Sequence, residues 1–375
     1  ACYSLDGAIG APPAPEPTPP SVPPPAPSAV GPDRGDTIPV GPDRPDMIEG
    51  REPARPRPSC PLRPPLPTEP RSRGRADRGL AMKALITGAG GFVGPHLVDH
   101  LRSRGDEVVP VDLDNGPDLR DRQAWIDTMD GVGPEVVYHL GGWSDVAASW
   151  DDPYTTFEVN VLGTVSILEA ARRAEVRRVL LVSSADVYGA VPTEQLPITE
   201  EHPLAPSSPY GASKVASEAA ALQYHRGRGL DVIIVRPFNH IGPGQSPRFA
   251  APAFARQIAA AEAAGQEGAR EPLRHGDLSP RRDLTDVRDV VRAYRLLADT
   301  GRAGACYNVC SGRSVAMAEV LDTLCRLSTA TIETEVDPAR LRPVEVMTQR
   351  GSPARLTEET GWRPTIALDQ TLADV

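Results

Sequence analysis

Apolar positions fall into two regimes along this chain. Up to residue 81 no stretch keeps a helical or a strand period, whereas from Met82 short β-branched runs alternate with longer helix-compatible ones. The runs Ala84–Thr87, Val108–Asp112, Val136–His139, Val179–Ser183 and Val232–Arg236 predict five strands. Strands separated by helices imply a parallel sheet covered on both faces, because parallel neighbours need crossover connections, and those are right-handed. The expected fold class is therefore α/β, a doubly wound parallel sheet of the Rossmann kind. Beyond Arg236 the alternation gives way to a Gly/Pro-rich loop, Pro237–Pro247, then to helices and scattered short strands. This change predicts one domain over residues 82–375, with a first lobe mainly in 82–236 and a smaller C-terminal lobe mainly in 237–375.

Composition separates the same two regimes. Residues 1–81 hold about half of the 42 prolines, and a segment so poor in periodic apolar residues cannot bury enough surface to offset the entropy of ordering. They read as a disordered Pro-rich tail, in which Val30-Gly-Pro-Asp-Arg34 recurs as Val40-Gly-Pro-Asp-Arg44, an echo too short to be a structural repeat. A ligand for proline-recognition domains is the functional alternative. Met82 reads as a natural start of the folded part, with the preceding residues either a genuine tail or an upstream or fused segment.

The tail carries 10 Arg against 10 acidic residues, so the net charge of −10 lies entirely in the body. An acidic body argues against a nucleic-acid partner, which would need a basic stripe. The five cysteines follow no zinc-ligand spacing, so no metal is expected and reduced thiols in a cytoplasmic protein are the simpler reading. No apolar run approaches the roughly 18 residues of a membrane span, and no membrane partner is expected.

Candidate chemistry begins at Thr87-Gly88-Ala89-Gly90-Gly91-Phe92-Val93-Gly94, which follows the first strand and opens a helix. Glycines there allow a tight turn, close approach of backbone to a pyrophosphate and close packing of helix on sheet, while the helix N-terminus offers unpaired N–H groups to phosphates. Asp112 ends the next strand roughly twenty residues on, where a carboxylate can accept from a ribose diol. That carboxylate would repel the extra phosphate of NADP, so NAD is the expected cofactor, with NADP possible; a solvated loop acid is the alternative for Asp112.

Tyr210-Gly-Ala-Ser-Lys214 places a phenol and an ammonium four residues apart, on one face of a helix. A free phenol has a pKa of about 10 and is a poor base at neutral pH; a neighbouring cation stabilises the phenolate and brings it into range for proton exchange with a sugar hydroxyl or ketone. Val182-Ser-Ser-Ala-Asp-Val-Tyr-Gly189 ends the fourth predicted strand, and active sites of open α/β sheets lie beyond the carboxyl ends of the strands. Ser184 can polarise the oxygen that Tyr210 protonates. Asp186 is a candidate second acid/base, or a cap on the following turn.

These motifs, in this order, make Met82–Val375 resemble the extended short-chain dehydrogenases/reductases. The collinear set is TGAGGFVG, Asp118-Leu119, His139-Leu140 at the family's fourth strand, Asn160-Val-Leu-Gly-Thr164, SSADVYG and YGASK. The resemblance implies that Ser184, Tyr210 and Lys214 are catalytic, and that Gly88, Gly91, Phe92, Val93, Gly94, Asp112, Asp118 and Leu119 hold the dinucleotide together with Tyr210 and Lys214. It makes the first lobe a cofactor lobe and the second a substrate lobe, and implies a homodimer.

Further on, Arg236-Pro-Phe-Asn-His-Ile-Gly-Pro-Gly-Gln245, Arg282-Asp-Leu-Thr-Asp-Val-Arg-Asp289, Tyr307-Asn-Val-Cys-Ser-Gly312 and Leu341-Arg-Pro-Val-Glu345 resemble the GDP-4-keto-6-deoxymannose reductases and, next to them, the GDP-mannose 4,6-dehydratases. By that likeness Asn160, Asn239, Arg282 and Arg342 hold a GDP-linked sugar nucleotide, an arginine fork being suited to a diphosphate. Each arginine alone would otherwise be a surface ion-pair partner.

Two departures bear on the reaction. Dehydratases use a carboxylate in the segment occupied here by Ala185 and Asp186; one branch's acid position is Ala185, and the glutamate of others is the shorter Asp186. The chain also stops at Leu372–Val375, a little short of where the family's last helix normally ends. Reduction of a 4-keto sugar nucleotide is therefore the expected activity, with a 4,6-dehydratase or 4-epimerase holding NAD tightly as the alternative, and a non-enzymatic dinucleotide sensor as a third reading disfavoured by the Ser184, Tyr210 and Lys214 set.

Overall fold

A computed structural model of the chain describes residues 81–264, 271–341 and 346–375. All but the last residue of the expected tail (1–81) and Arg342 lie outside the described residues. The first half runs β1 (Lys83–Thr87), α1 (Val93–Ser103), β2 (Glu107–Val111), α2 (Arg122–Val132), β3 (Val136–His139), α3 (Val146–Asp151), α4 (Pro153–Phe157), α5 (Gly163–Arg173), β4 (Arg178–Val182), α6 (Pro209–Arg228) and β5 (Val232–Pro237). The second runs β6 (His240–Ile241), α7 (Ala250–Ala263), β7 (Leu273–His275), β8 (Arg281–Asp283), β9 (Thr285–Asp286), α8 (Val287–Thr300), β10 (Cys306–Val309), β11 (Ser314–Ala316), α9 (Met317–Leu327), β12 (Thr334–Val336), α10 (Ala354–Thr360) and α11 (Leu368–Asp374).

Six strands form one parallel sheet in the order β10-β5-β4-β3-β1-β2. Its central strands are buried along their length because helices cover both faces. On one face Leu97 of α1, Val290 and Leu297 of α8 and Trp362 pack on Ala84, Ile86 and Val235. On the other, Trp125 and Met129 of α2, Ile167 and Leu168 of α5 and Ala221 of α6 pack on Leu85, Val137 and Ile234. A separate apolar cluster joins α7, α9 and α11 through Phe254, Ile258, Val320, Leu321 and Leu372.

The predicted strands match β1–β5 to within a residue at their ends. The differences matter at the carboxyl ends: Asp112 and Ser183 stand just beyond their strands, in the loops that reach ligands. His139-Leu140, expected at a fourth strand, ends the third, because the chain forms only β1 and β2 before it. The sixth strand has no counterpart in the predicted set. The short run Cys306–Val309 carries no alternation of its own, yet it pairs with β5 in register Cys306↔Ile234 to Val309↔Pro237. With α8 packed beside α1, the chain beyond 237 thus returns to the first sheet before completing the smaller cluster.

The order reverses between β1 and β3: the chain winds outward from β1 to β2 on one side and from β3 to β10 on the other. Such a reversal leaves a crevice at the carboxyl ends of the two strands, which is where open α/β sheets bind ligands.

Candidate active site

At the glycines, backbone packs directly on backbone beside that crevice. Gly88 follows β1 with a φ of 73°, and a Cβ added to it would stand 2.6 Å from the Gly141 Cα beyond β3. At Gly94, in the first turn of α1, a Cβ would meet the Ala89 carbonyl oxygen at 2.1 Å, so helix and loop can close only around glycine. The Gly91 N–H turns back to the Gly88 carbonyl (3.3 Å), tightening the loop, and Val93 begins α1. Asp112 Oδ2 accepts from Gly90 N–H at 2.6 Å and its Oδ1 from Leu113 N–H at 2.7 Å. Its carboxylate is thereby fixed at the rim of a slot lined by Val111, Leu113, Pro117, Leu119 and Trp125. Asp118 stands beside this slot, bound by Arg120, and its carbonyl accepts from the Trp125 indole (3.0 Å).

Under the crevice a directional chain of hydrogen bonds links the two strands to α5. Gly141 N–H donates to Thr87 Oγ1 (3.2 Å), which lies 2.7 Å from His139 Nδ1; His139 Nε2 lies 3.1 Å from Thr164 Oγ1, which donates to the Asn160 carbonyl (2.6 Å). This network assigns the proton of a neutral imidazole to Nε2. Burial holds His139 neutral by pushing its pKa down to about 3.

The catalytic candidates meet at the carboxyl ends of β4 and β5. Ser208 caps α6, accepting from Gly211 N–H at 3.0 Å, and Pro209 starts the helix where a missing N–H costs nothing. One turn apart on α6, Tyr210 and Lys214 are both nearly inaccessible, and the Lys214 ammonium lies 5.8 Å from the centre of the Tyr210 ring. Lys214 Nζ donates to the Val182 carbonyl (3.0 Å), and burial lowers its pKa to about 8. Ser184, Asp186, Tyr210 and Lys214 line one cleft, continuous with Gly88, Phe92, Val93 and Gly94. Ser184 Oγ donates to Asp186 Oδ2 (3.0 Å) and accepts from Asp186 N–H (3.1 Å), so Asp186 sits in the turn that Ser184 caps. Burial raises the Asp186 pKa, opposed by the Ser184 hydrogen bond and the nearby Arg282 charge.

Asn160 occupies a different place from that expected of a substrate ligand. It lies in a wide π-turn, Glu158–Leu162, between α4 and α5. There its amide accepts from Trp143 N–H (2.7 Å) and donates to the Trp143 carbonyl (3.0 Å) and Ser213 Oγ (2.8 Å). A buried amide so engaged holds the β3 loop against α6. Of the other expected substrate residues, Asn239 lines the cleft; Arg282 acts on Asp186 electrostatically and donates to the Arg281 carbonyl (2.9 Å).

Several wall residues escaped sequence reading. Phe238, His240, Gln245, Phe249, Tyr294 and Gln349 line the cleft, and the His240 ring stacks on Phe92 with centroids 5.9 Å apart. Phe238, His240 and Gln245 lie in the Pro237–Pro247 loop, which marks a position but not which side chains turn inward; Phe249, Tyr294 and Gln349 lie outside it and carried no signal. Glu218 also escaped: its carboxylate pairs with Arg236 at 2.6 and 2.9 Å and accepts from Ser183 Oγ at 2.6 Å. Among the described residues no group of three His, Cys, Asp or Glu could hold a metal ion, and no helix is long and apolar enough to cross a membrane.

Comparison with known proteins agrees with this geometry. The family model for GDP-mannose 4,6 dehydratase matches residues 115–375. GDP-6-deoxy-D-mannose reductase of Pseudomonas aeruginosa is 38% identical over 294 residues, which span 78% of this chain and 95% of that protein. The structure of RMD from Pseudomonas aeruginosa complexed with NADPH superposes with a TM-score of 0.73 at 37% identity, covering 78% of this chain and 97% of the other. The UDP-glucose 4-epimerase of Thermus thermophilus, in complex with NAD, gives 0.69 at 31% identity, with coverage of 78% and 97%. A crevice built for a dinucleotide, a Tyr–Lys pair beside it and these matches lead to one conclusion: the chain belongs to the GDP-mannose 4,6-dehydratase family, within the extended short-chain dehydrogenases/reductases.

Proposed function

We propose that this protein is an NAD(P)-dependent sugar-nucleotide oxidoreductase that reduces a GDP-linked 4-keto-6-deoxyhexose to the GDP-deoxysugar. The observation that carries this reading is the cleft's acid content: among the described residues lining it, Asp186 is the only carboxylate. Reduction asks for one hydride and one proton. Dehydration asks in addition for a base at C5 and an acid at the C6 hydroxyl, both within hydrogen-bond reach, and Ala185 leaves that set short.

The glycine cradle and Asp112 fit a dinucleotide, which when bound supplies the hydride. Tyr210 gives its phenolic proton to the developing alkoxide at C4, and the Lys214 ammonium stabilises the phenolate left behind. Ser184 polarises the same keto oxygen. Its hydroxyl donates to Asp186 in the free protein, and a turn of the Ser184 side chain frees that proton for the substrate oxygen. Asn239, Arg282 and Arg342 serve the sugar nucleotide, and Asn160 positions the loop behind the cleft.

The test is absorbance at the nicotinamide band with GDP-4-keto-6-deoxymannose and NADH or NADPH. Turnover is expected, and Tyr210→Phe should lower it at least ~10²-fold, the usual loss with a missing general acid, while leaving the fold intact. Formation of the 4-keto-6-deoxy sugar from GDP-mannose and NAD, abolished by Asp186→Asn, would make the protein a dehydratase instead.

NAD is the proposed preference over NADP, supported by the Asp112 carboxylate at the slot rim. Asp112→Ala should weaken NAD and narrow its advantage in parallel titrations; an unchanged ratio of the two affinities would reduce Asp112 to a loop acid.

A homodimer is proposed on the exposed strip of Trp150, Tyr154, Phe157 and Leu162 along α3–α5, since contiguous exposed apolar side chains mark interaction sites. Sedimentation should show a dimer that Leu162→Asp dissociates; a wild-type monomer would refute it. Cys306, Cys310 and Cys325 are free thiols, which supports a cytoplasmic setting; recovery in an oxidising compartment on cell fractionation would count against it.

A further inference from the structure

Residues 347–352 run as an extended segment between two neighbours. On one side Arg281 N–H donates to the Met347 carbonyl (2.7 Å) and Gln349 N–H to the Arg281 carbonyl (3.0 Å). On the other, Ile198 N–H donates to the Arg350 carbonyl (2.9 Å) and Ser352 N–H to the Ile198 carbonyl (2.8 Å). Side chains alternate along such a segment, so Gln349 and Gly351 share one face. That face is turned toward the cleft: a Cβ on Gly351 would meet the Phe238 ring at 2.6 Å, and Phe238 is part of the cleft wall. Gln349 lines the same cleft, together with Asp186, Tyr210 and Asn239.

The Gln349 carboxamide is available there. The residue is only 8% exposed, yet among the described residues its side chain makes no hydrogen bond, and neither its oxygen nor its nitrogen is sealed away from the cleft. Water serves so confined an amide poorly, and a ligand that completes its bonds recovers the deficit. The chemistry of that ligand follows from the group and its place. A carboxamide has no charge to offer a diphosphate, but it sets an acceptor beside two donors, which matches neighbouring hydroxyls on a ring. Its backbone partner Arg281 precedes Arg282, whose charge acts on Asp186, and Asp186 is bonded to Ser184. Gln349 thus stands on the β8 side of the cleft, where a hexose lies when its C4 faces Ser184 and Tyr210. We infer that Gln349 is a further specificity-determining residue, whose carboxamide hydrogen-bonds ring hydroxyls of the hexose and so reads the sugar rather than the nucleotide.

This inference rests on the sugar-nucleotide reading of the cleft, and two ligands separate the two. The full chain and its Gln349→Met variant, which replaces the amide by a thioether of similar length, are titrated calorimetrically with GDP, GDP-mannose and NADH. The wild-type chain should bind GDP-mannose more tightly than GDP. Gln349→Met should bind GDP-mannose about fivefold to tenfold more weakly, the loss expected for one neutral hydrogen bond. Its affinities for GDP and for NADH, the latter reporting an intact fold, should stay at the wild-type values. In reduction of GDP-4-keto-6-deoxymannose its KM should rise by a similar factor. GDP-mannose affinity within about twofold of wild type, an equal loss for GDP or NADH, or a wild-type chain to which the hexose adds no affinity would overturn the assignment. Failure of the wild-type chain to bind either GDP or GDP-mannose would remove the sugar-nucleotide reading and this inference with it.

Discussion

Arg236 at the end of β5 and Glu218, one turn beyond Lys214, meet with almost no exposure of either side chain, joined by two hydrogen bonds. Charges taken out of water are tolerable only where every remaining polar atom is also satisfied, and here the set is extended. Ser183 donates to Glu218, Arg236 donates to the Tyr188 hydroxyl (2.9 Å), Tyr188 donates to Asn308 (2.7 Å), and Asn308 donates to the Ile198 carbonyl (3.0 Å). This network spans β4, α6, β5 and β10. Because Tyr210, Lys214 and Glu218 repeat at four-residue intervals along α6, fixing Glu218 fixes the helix in rotation and height. Fixing Ser183 places Ser184 at the mouth of β4. The register of the candidate catalytic groups thus follows from an ion pair that touches none of the cleft surface itself.

A second scaffold serves the other end of the cleft. Thr87, His139 and Thr164 run their hydrogen bonds from the β1–β3 crevice to Asn160, and Asn160 passes the constraint to the Trp143 backbone and to Ser213 of α6. Glycine loop and α6 are therefore held by one continuous set of buried polar contacts. Such networks rigidify when complete, which suits a reaction that needs a hydride donor and a proton donor in fixed relation to one carbon.

The sequence reading succeeded where local rules decide the outcome. Strand-length β-branched runs, a glycine turn opening a helix and a Tyr–Lys pair at one-turn spacing are each written within a few residues, and each reappears in β1–β5, the α1 turn and α6. It failed where the partner lies far along the chain. The strand Cys306–Val309 is recognisable only by what it pairs with, some seventy residues earlier in β5. Asn160 lies in a π-turn and engages Trp143 and Ser213, partners that its own segment does not announce. Tyr294 and Glu218 read as ordinary helix residues; burial alone reveals that one lacks a partner and the other carries a buried charge.

The central claim is that the Arg236–Glu218 pair sets the geometry of catalysis and does more than stabilise the fold. Glu218→Gln tests it most directly, with unfolding in denaturant and steady-state reduction measured on the same preparation. Removing one partner of a buried pair costs about 3–5 kcal/mol, and the account predicts that loss together with a fall in kcat, as α6 loses its register against Ser184. A variant destabilised to that extent yet turning over at the wild-type rate would contradict it.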